Sequence, residues 1–260
     1  MISVAVVGCG AIGGVVAQSL RAGEVPGARL KGIVAPNAQA NLPALSLSHA
    51  LESADLVVEA AGQEALAEIA PRVLDSRASL LVVSVGALRD DATFKLLASV
   101  PPGRVHLTTG AVGGLDMLRS ATRMGPLDMV RIVTTKKPDA LVQPWMSPAE
   151  AGALRSATGP VEIRRGQAKE IAGAFPQSTN VAAAVALAVG DWDLVQAVVM
   201  ADPASPVTSH VITASGAAGE YRFEIRNRPS AANPKTSEVV PYAVLAAIED
   251  IAGASAWTFR

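Results

Sequence analysis

The run Gly8-Cys9-Gly10-Ala11-Ile12-Gly13 carries the clearest chemistry in this sequence. Its spacing is G-x-G-x-x-G, directly after the apolar run Ile2–Val7 and ahead of a helical pattern over residues 11–21. In that context Gly8 permits a tight turn and Gly10 lets backbone approach a pyrophosphate. Gly13 lets the helix pack closely on the strand. Backbone N–H groups around Ala11 and Ile12, together with the helix dipole, would hold the phosphates. The expected ligand is therefore NAD or NADP. The second strand ends in Val34-Ala35-Pro36-Asn37, with no acid for a ribose diol and no neighbouring arginine for a 2′-phosphate. That leaves the choice of nucleotide open and NADP tolerated. Cys9 reads as a small turn residue, not a reactive thiol.

Three further turns fall at expected strand ends: Glu59-Ala60-Ala61-Gly62, Ser84-Val85-Gly86-Ala87-Leu88 and Thr109-Gly110-Ala111-Val112-Gly113-Gly114. Small residues there either make tight turns or let a flat ring approach backbone amides. Of three histidines, His49 falls at a helix start and His106 inside a strand. His210 lies in a polar stretch between Pro206 and Gly216. It is either a structural residue or a proton shuttle near neutral pH. Asn233-Pro234-Lys235-Thr236-Ser237 reads as the start of the last helix. Lys235, Thr236 and Ser237 would there form an anion site for a substrate carboxylate, or simply cap the helix. Lys136-Lys137 is a solvated pair or a source of positive potential. With Cys9 the single cysteine and no Cys/His cluster at zinc spacing, no metal site is expected.

These residues need elements to position them. Strand-like runs at 2–7, 30–35, 56–59, 80–84 and 105–108 alternate with helical stretches at 11–21, 63–74 and 90–99. Continuous apolar strands alternating with helices predict a Rossmann-type, doubly wound parallel sheet over residues 1–126. Strands then outnumber helices, with runs at 130–135, 161–165, 194–200, 207–214 and 221–226. This predicts a second α+β domain with an open sheet over 127–232. Ser147-Pro148-Ala149-Glu150 has the form of a capping box, and an Ala-rich helix follows Asn180. Residues 233–260 are expected to form a C-terminal helix that packs back on the first domain. Net charge is −1 without charge blocks, so the basic stripe that nucleic acid demands is missing. The apolar run Val181–Val189 is far shorter than the roughly 20 residues of a membrane span. A cytoplasmic setting is expected.

Taken in order, the motifs resemble those of the L-aspartate dehydrogenases nearly end to end. Beyond the glycine loop, the carriers include Val57-Val58-Glu59-Ala60-Ala61, Gly110-Ala111-Val112-Gly113-Gly114-Leu115-Asp116 and Thr134-Thr135-Lys136-Lys137-Pro138. Ser84-Val85-Gly86-Ala87-Leu88, Phe175-Pro176, Asn180-Val181-Ala182-Ala183, Ala201-Asp202-Pro203, His210 and Asn233-Pro234-Lys235-Thr236-Ser237 complete the set. The resemblance implies NAD(P)-dependent oxidation of L-aspartate to iminoaspartate, which hydrolyses to oxaloacetate and ammonia or enters NAD biosynthesis. It also implies His210 as the catalytic residue and Ala111 and Asn180 as cofactor contacts. The expected assembly is a homodimer. Two other readings are a related dehydrogenase acting on another small amino acid or a semialdehyde, and a non-catalytic dinucleotide sensor.

Overall fold

The computed structural model describes residues 1–37 and 41–256; the last residues of the expected C-terminal segment, 257–260, lie outside the described residues. In chain order the elements are β1 (Ile2–Val7), α1 (Gly13–Ala22), β2 (Ala28–Val34), α2 (Leu47–Ser53), β3 (Leu56–Glu59), α3 (Gln63–Asp75), β4 (Ser79–Val82), α4 (Asp91–Ala98) and β5 (Val105–Leu107). There follow α5 (Leu115–Met124), β6 (Leu127–Lys136), α6 (Pro138–Leu141), α7 (Pro148–Arg155), β7 (Val161–Gln167), α8 (Ala168–Ala174), α9 (Asn180–Val189), β8 (Val195–Ala201), β9 (Thr208–Gly216), β10 (Gly219–Asn227) and α10 (Val240–Ile251). Two compact units result, Met1–Gly110 with Val240–Arg260, and Ala111–Val239.

The first unit is built on a parallel sheet of order β2-β1-β3-β4-β5. Val4 to Val7 of β1 and all of β3 are buried, as central strands covered on both faces must be. This explains why they read as unbroken apolar runs. The chain leaves β1 toward one side of the sheet and β3 toward the other, so the strand order reverses between them. That crevice is where α/β sheets of this kind bind ligands. α1 ends at Gly23, whose φ of 74° gives the left-handed C-cap that lets its N–H reach the Leu20 and Ser19 carbonyls. The buried residues Val240, Val244 and Ile248 give α10 an apolar stripe, and the helix packs on α1.

The second unit has a mixed sheet of order β10-β9-β6-β8-β7. Its β6–β8 pair is parallel and the others are antiparallel. α8 and α9 pack on β8, and α5 on α9. α9 is apolar nearly all round and correspondingly buried. Ser147 and Glu150 close the expected capping box at α7: the Glu150 N–H donates to Ser147 Oγ at 3.2 Å and the Ser147 N–H to Glu150 Oε2 at 2.7 Å.

Two expectations differ from what is found. The division falls after residue 110 and after 239, whereas composition placed it after 126 and 232. The reason is α5, which follows β5 in the chain but packs on α9. The last helix also begins at Val240, not in the Asn233–Ser237 run. That run folds instead as a loop tied to residues 228–230. The Lys235 N–H donates to Asn233 Oδ1, the Thr236 N–H to the Asn233 carbonyl and the Glu238 N–H to the Arg228 carbonyl. The Lys235 and Thr236 N–H groups, which the expected anion site would have used, are thus both taken by Asn233.

Candidate active site

At the crevice of the first unit, each glycine of the loop has a different reason to be glycine. Gly8 sits at φ 99°, and a Cβ there would lie 2.6 Å from the Ala60 carbonyl oxygen. A Cβ on Gly13 would collide with the Gly8 carbonyl. A Cβ on Gly10 would meet nothing within 4 Å. Gly8 and Gly13 are therefore fixed by the fold, while Gly10 leaves room where a phosphate could come against the chain. The Gly14 N–H already reaches the Gly10 carbonyl at 2.9 Å, so helical bonding starts there. Donors at Ala11, Ile12 and Gly13 fall in the turn that has no intrahelical acceptor. Beside the loop lies a cavity of about 760 Å³, lined among others by Gly8, Gly10, Pro36, Asn37 and Ala61. Shape and donors fit a dinucleotide.

Glu59 at the end of β3, expected only as the first residue of a small-residue turn, is a positioning residue. It is fully buried. Its Oε1 accepts from the Ala61 and Gly62 N–H groups and the Ser84 hydroxyl, each at 2.9 Å, and Oε2 from the Ser84 N–H at 3.0 Å. One carboxylate thus ties the turn after β3 to the turn after β4. An acid closing an apolar strand was the available signal. Glu59→Gln would turn an amide N–H₂ toward one of these donors. It is expected to lower stability by about 1–3 kcal/mol, measured by denaturant unfolding.

In the second unit the alternation of β6 and β9 places Thr134 and Lys136 beside Thr208 and His210 on the buried face. Ile132 and Ile212 continue that face as an apolar surface. All four polar residues are at most 3% exposed. Thr134 Oγ1 lies 3.0 Å from His210 Nδ1. Burial, with the Lys136 charge nearby, depresses the His210 pKa to about 3, so the imidazole is neutral at physiological pH. Lys136 Nζ donates to the Lys235 carbonyl at 2.5 Å. Burial and then the Lys235 ammonium lower its pKa to about 8. Lys136 also lines a cavity of about 180 Å³ together with Thr208 and Pro234.

The structure thus gathers His210 and the Lys235 segment about Lys136. Of Lys136 and Lys137, read as a solvated pair or as a source of positive potential, Lys136 is buried. Asn180 is the first residue of α9, and the Ala111 carbonyl accepts from Asn227 Nδ2 at 2.9 Å. His49 and His106 belong to α2 and β5, in the other unit. Among the described residues, no group of three or more His, Cys, Asp or Glu could hold a metal ion, and no helix is long and apolar enough to cross a membrane.

A parallel sheet with a glycine loop at its switch point, joined in one chain to a mixed-sheet unit with a buried Lys–His cluster, defines a two-unit, dinucleotide-dependent oxidoreductase. A family model described as aspartate dehydrogenase, C-terminal, matches residues 116–251, and one described as homoserine dehydrogenase, NAD binding domain, matches residues 8–101. The L-aspartate dehydrogenases of Methanopyrus kandleri and Pseudomonas aeruginosa are each 35% identical to this chain. The matches span 95% of this chain, with 95% and 97% of those proteins. The crystal structure of aspartate dehydrogenase from Thermotoga maritima superposes with a TM-score of 0.75 at 25% identity, covering all of both chains. The chain belongs to the aspartate dehydrogenase family.

Proposed function

We propose that this chain oxidises L-aspartate to iminoaspartate with NAD or NADP, the imine hydrolysing to oxaloacetate and ammonia, and that it runs the reverse amination. Family membership supports the substrate. The observation that carries the reading is the buried Thr134–Lys136–Thr208–His210 cluster, which combines a cation and a neutral base in one apolar wall. When bound, the nicotinamide supplies the acceptor for the substrate Cα hydrogen.

The remaining roles belong to side chains. Lys136 is a buried cation whose charged neighbour is another cation, and a substrate carboxylate would relieve that imbalance. Lys235 adds positive potential, with Thr236 and Ser237 alongside as further carboxylate contacts. Neutral His210 can accept a proton from the water that attacks the imine carbon. This requires the tautomer in which Nδ1–H donates to Thr134 Oγ1 and leaves the Nε2 lone pair free. Thr134 is then a positioning residue. Gly8, Gly10, Ala11, Ile12 and Gly13 hold the dinucleotide, with Ala111 and Asn180 as additional contacts. A cytoplasmic homodimer is the expected setting, checked by light scattering for its subunit number.

Lys136→Met tests the carboxylate role. It is expected to lower kcat/KM for aspartate about 10- to 100-fold, mainly through KM, as loss of a charged hydrogen bond does. Stability should move the other way. Folded Lys136 releases its proton near pH 8 and unfolded lysine near 10.5, so wild-type stability falls as pH drops through that window. Below pH 8 the full cost, about 3 kcal/mol, is present, and Met removes it. Denaturant unfolding of both proteins at pH 7 and pH 10.5 should show the Met advantage shrinking at the higher pH.

The function itself is tested by mixing oxaloacetate and ammonia with NADH and with NADPH in parallel. Oxidation of either nucleotide is the expected result. Oxidation with aspartate semialdehyde instead would reassign the substrate. Tight nucleotide binding without turnover would make the chain a sensor.

A further inference from the structure

The cavity beside the glycine loop has a wall that no sequence motif marks. Ala65, Glu68, Ile69 and Arg72 of α3 line it together with Pro36 and Asn37, their spacing setting them on one helix face. Arg72 thus stands in the same cavity as the end of β2, about 35 residues away in sequence. Its Nη2 donates to Ser48 Oγ at 2.9 Å, which tethers the guanidinium to α2. A guanidinium has five N–H donors, so one hydroxyl leaves most of its fork available. No carboxylate lies in the Val34–Asn37 turn to repel a phosphate. Glu68, one turn earlier on α3, is the acid in this cavity, and its carboxylate suits a ribose hydroxyl.

We propose that Arg72, tethered by Ser48, reads the 2′-phosphate of NADP, so that the same cavity accepts NAD through Glu68 and NADP through Arg72. This rests on the dinucleotide assignment made above. Arginine is suited to the task because its planar fork meets phosphate oxygens in pairs. Wild-type kcat/KM for the two nucleotides should accordingly lie within about two orders of magnitude.

The test compares Arg72→Gln with wild type, using calorimetry with 2′,5′-adenosine bisphosphate and with 5′-AMP, then steady-state kinetics with NADPH and NADH. Arg72 is exposed, so the fold should be unaffected, which thermal melting checks. Affinity for the bisphosphate and kcat/KM for NADPH are expected to fall about 10- to 100-fold, with AMP and NADH changing less than about threefold. Arg72→Lys should fall between, since it keeps charge but loses the fork. Equal losses for both nucleotides would place Arg72 on the shared adenosine and overturn the proposal, as would no loss at all. A wild type that binds neither dinucleotide overturns the cofactor assignment itself, and this one with it.

Discussion

Gly10→Val is expected to abolish dinucleotide binding while leaving a folded protein. The space around Gly10 is open, so two added methyl groups meet no protein atom near Cβ and cost the fold little. They instead occupy the approach a pyrophosphate needs. The neighbouring glycines supply the control. Gly8→Ala must adopt φ 99° with its Cβ against Ala60, and Gly13→Ala must displace the Gly8 carbonyl. Each should lower stability by about 1–3 kcal/mol. Thermal melts alongside calorimetry with NADH separate the two classes. Unchanged NADH affinity in Gly10→Val would remove the loop from the cofactor site.

His210→Ala is the second large effect: turnover should fall at least about 100-fold, the scale of a positioned acid–base group, with nucleotide affinity retained. Some stability will go too, about 1–3 kcal/mol, because Thr134 Oγ1 loses its partner in a buried position. Single-turnover rates must therefore be compared in folded, cofactor-saturated enzyme. A purely structural histidine would leave those rates equal. The pH dependence of stability offers a separate check. Folded His210 resists protonation down to about pH 3 and an unfolded histidine takes its proton near 6.5. Wild-type stability therefore falls on acidification through that window. His210→Ala should fall less steeply there.

Much of this molecule is legible in its sequence. β1 and β3 are buried on both faces and can contain little but aliphatic residues, so their positions follow from composition alone. The capping box at α7 is a local hydrogen-bond pattern and is read locally. The start of α10 is not. Asn233-Pro234-Lys235-Thr236-Ser237 has the composition of a helix cap, yet Asn233 accepts from the Lys235 and Thr236 N–H groups, and the Thr236 carbonyl accepts from the Ser230 N–H. Lys136 could have been found: in β6 it shares the two-residue period of Val130, Ile132 and Thr134, which marks it as buried. Arg72 could not, because only the fold brings α3 and the end of β2 to one cavity.

The return of α10 to α1 has a consequence for synthesis. Strands β1 to β5 leave the ribosome long before the helix that covers α1. The whole second unit, about 130 residues, must be made in between, on the order of ten seconds at typical elongation rates. That unit is contiguous and can complete its own core first. The nascent dinucleotide-binding sheet meanwhile waits with an apolar flank uncovered, the kind of surface that chaperones hold and that aggregation exploits. The dinucleotide-binding unit, begun before the second unit, can complete its packing only once α10 has been made.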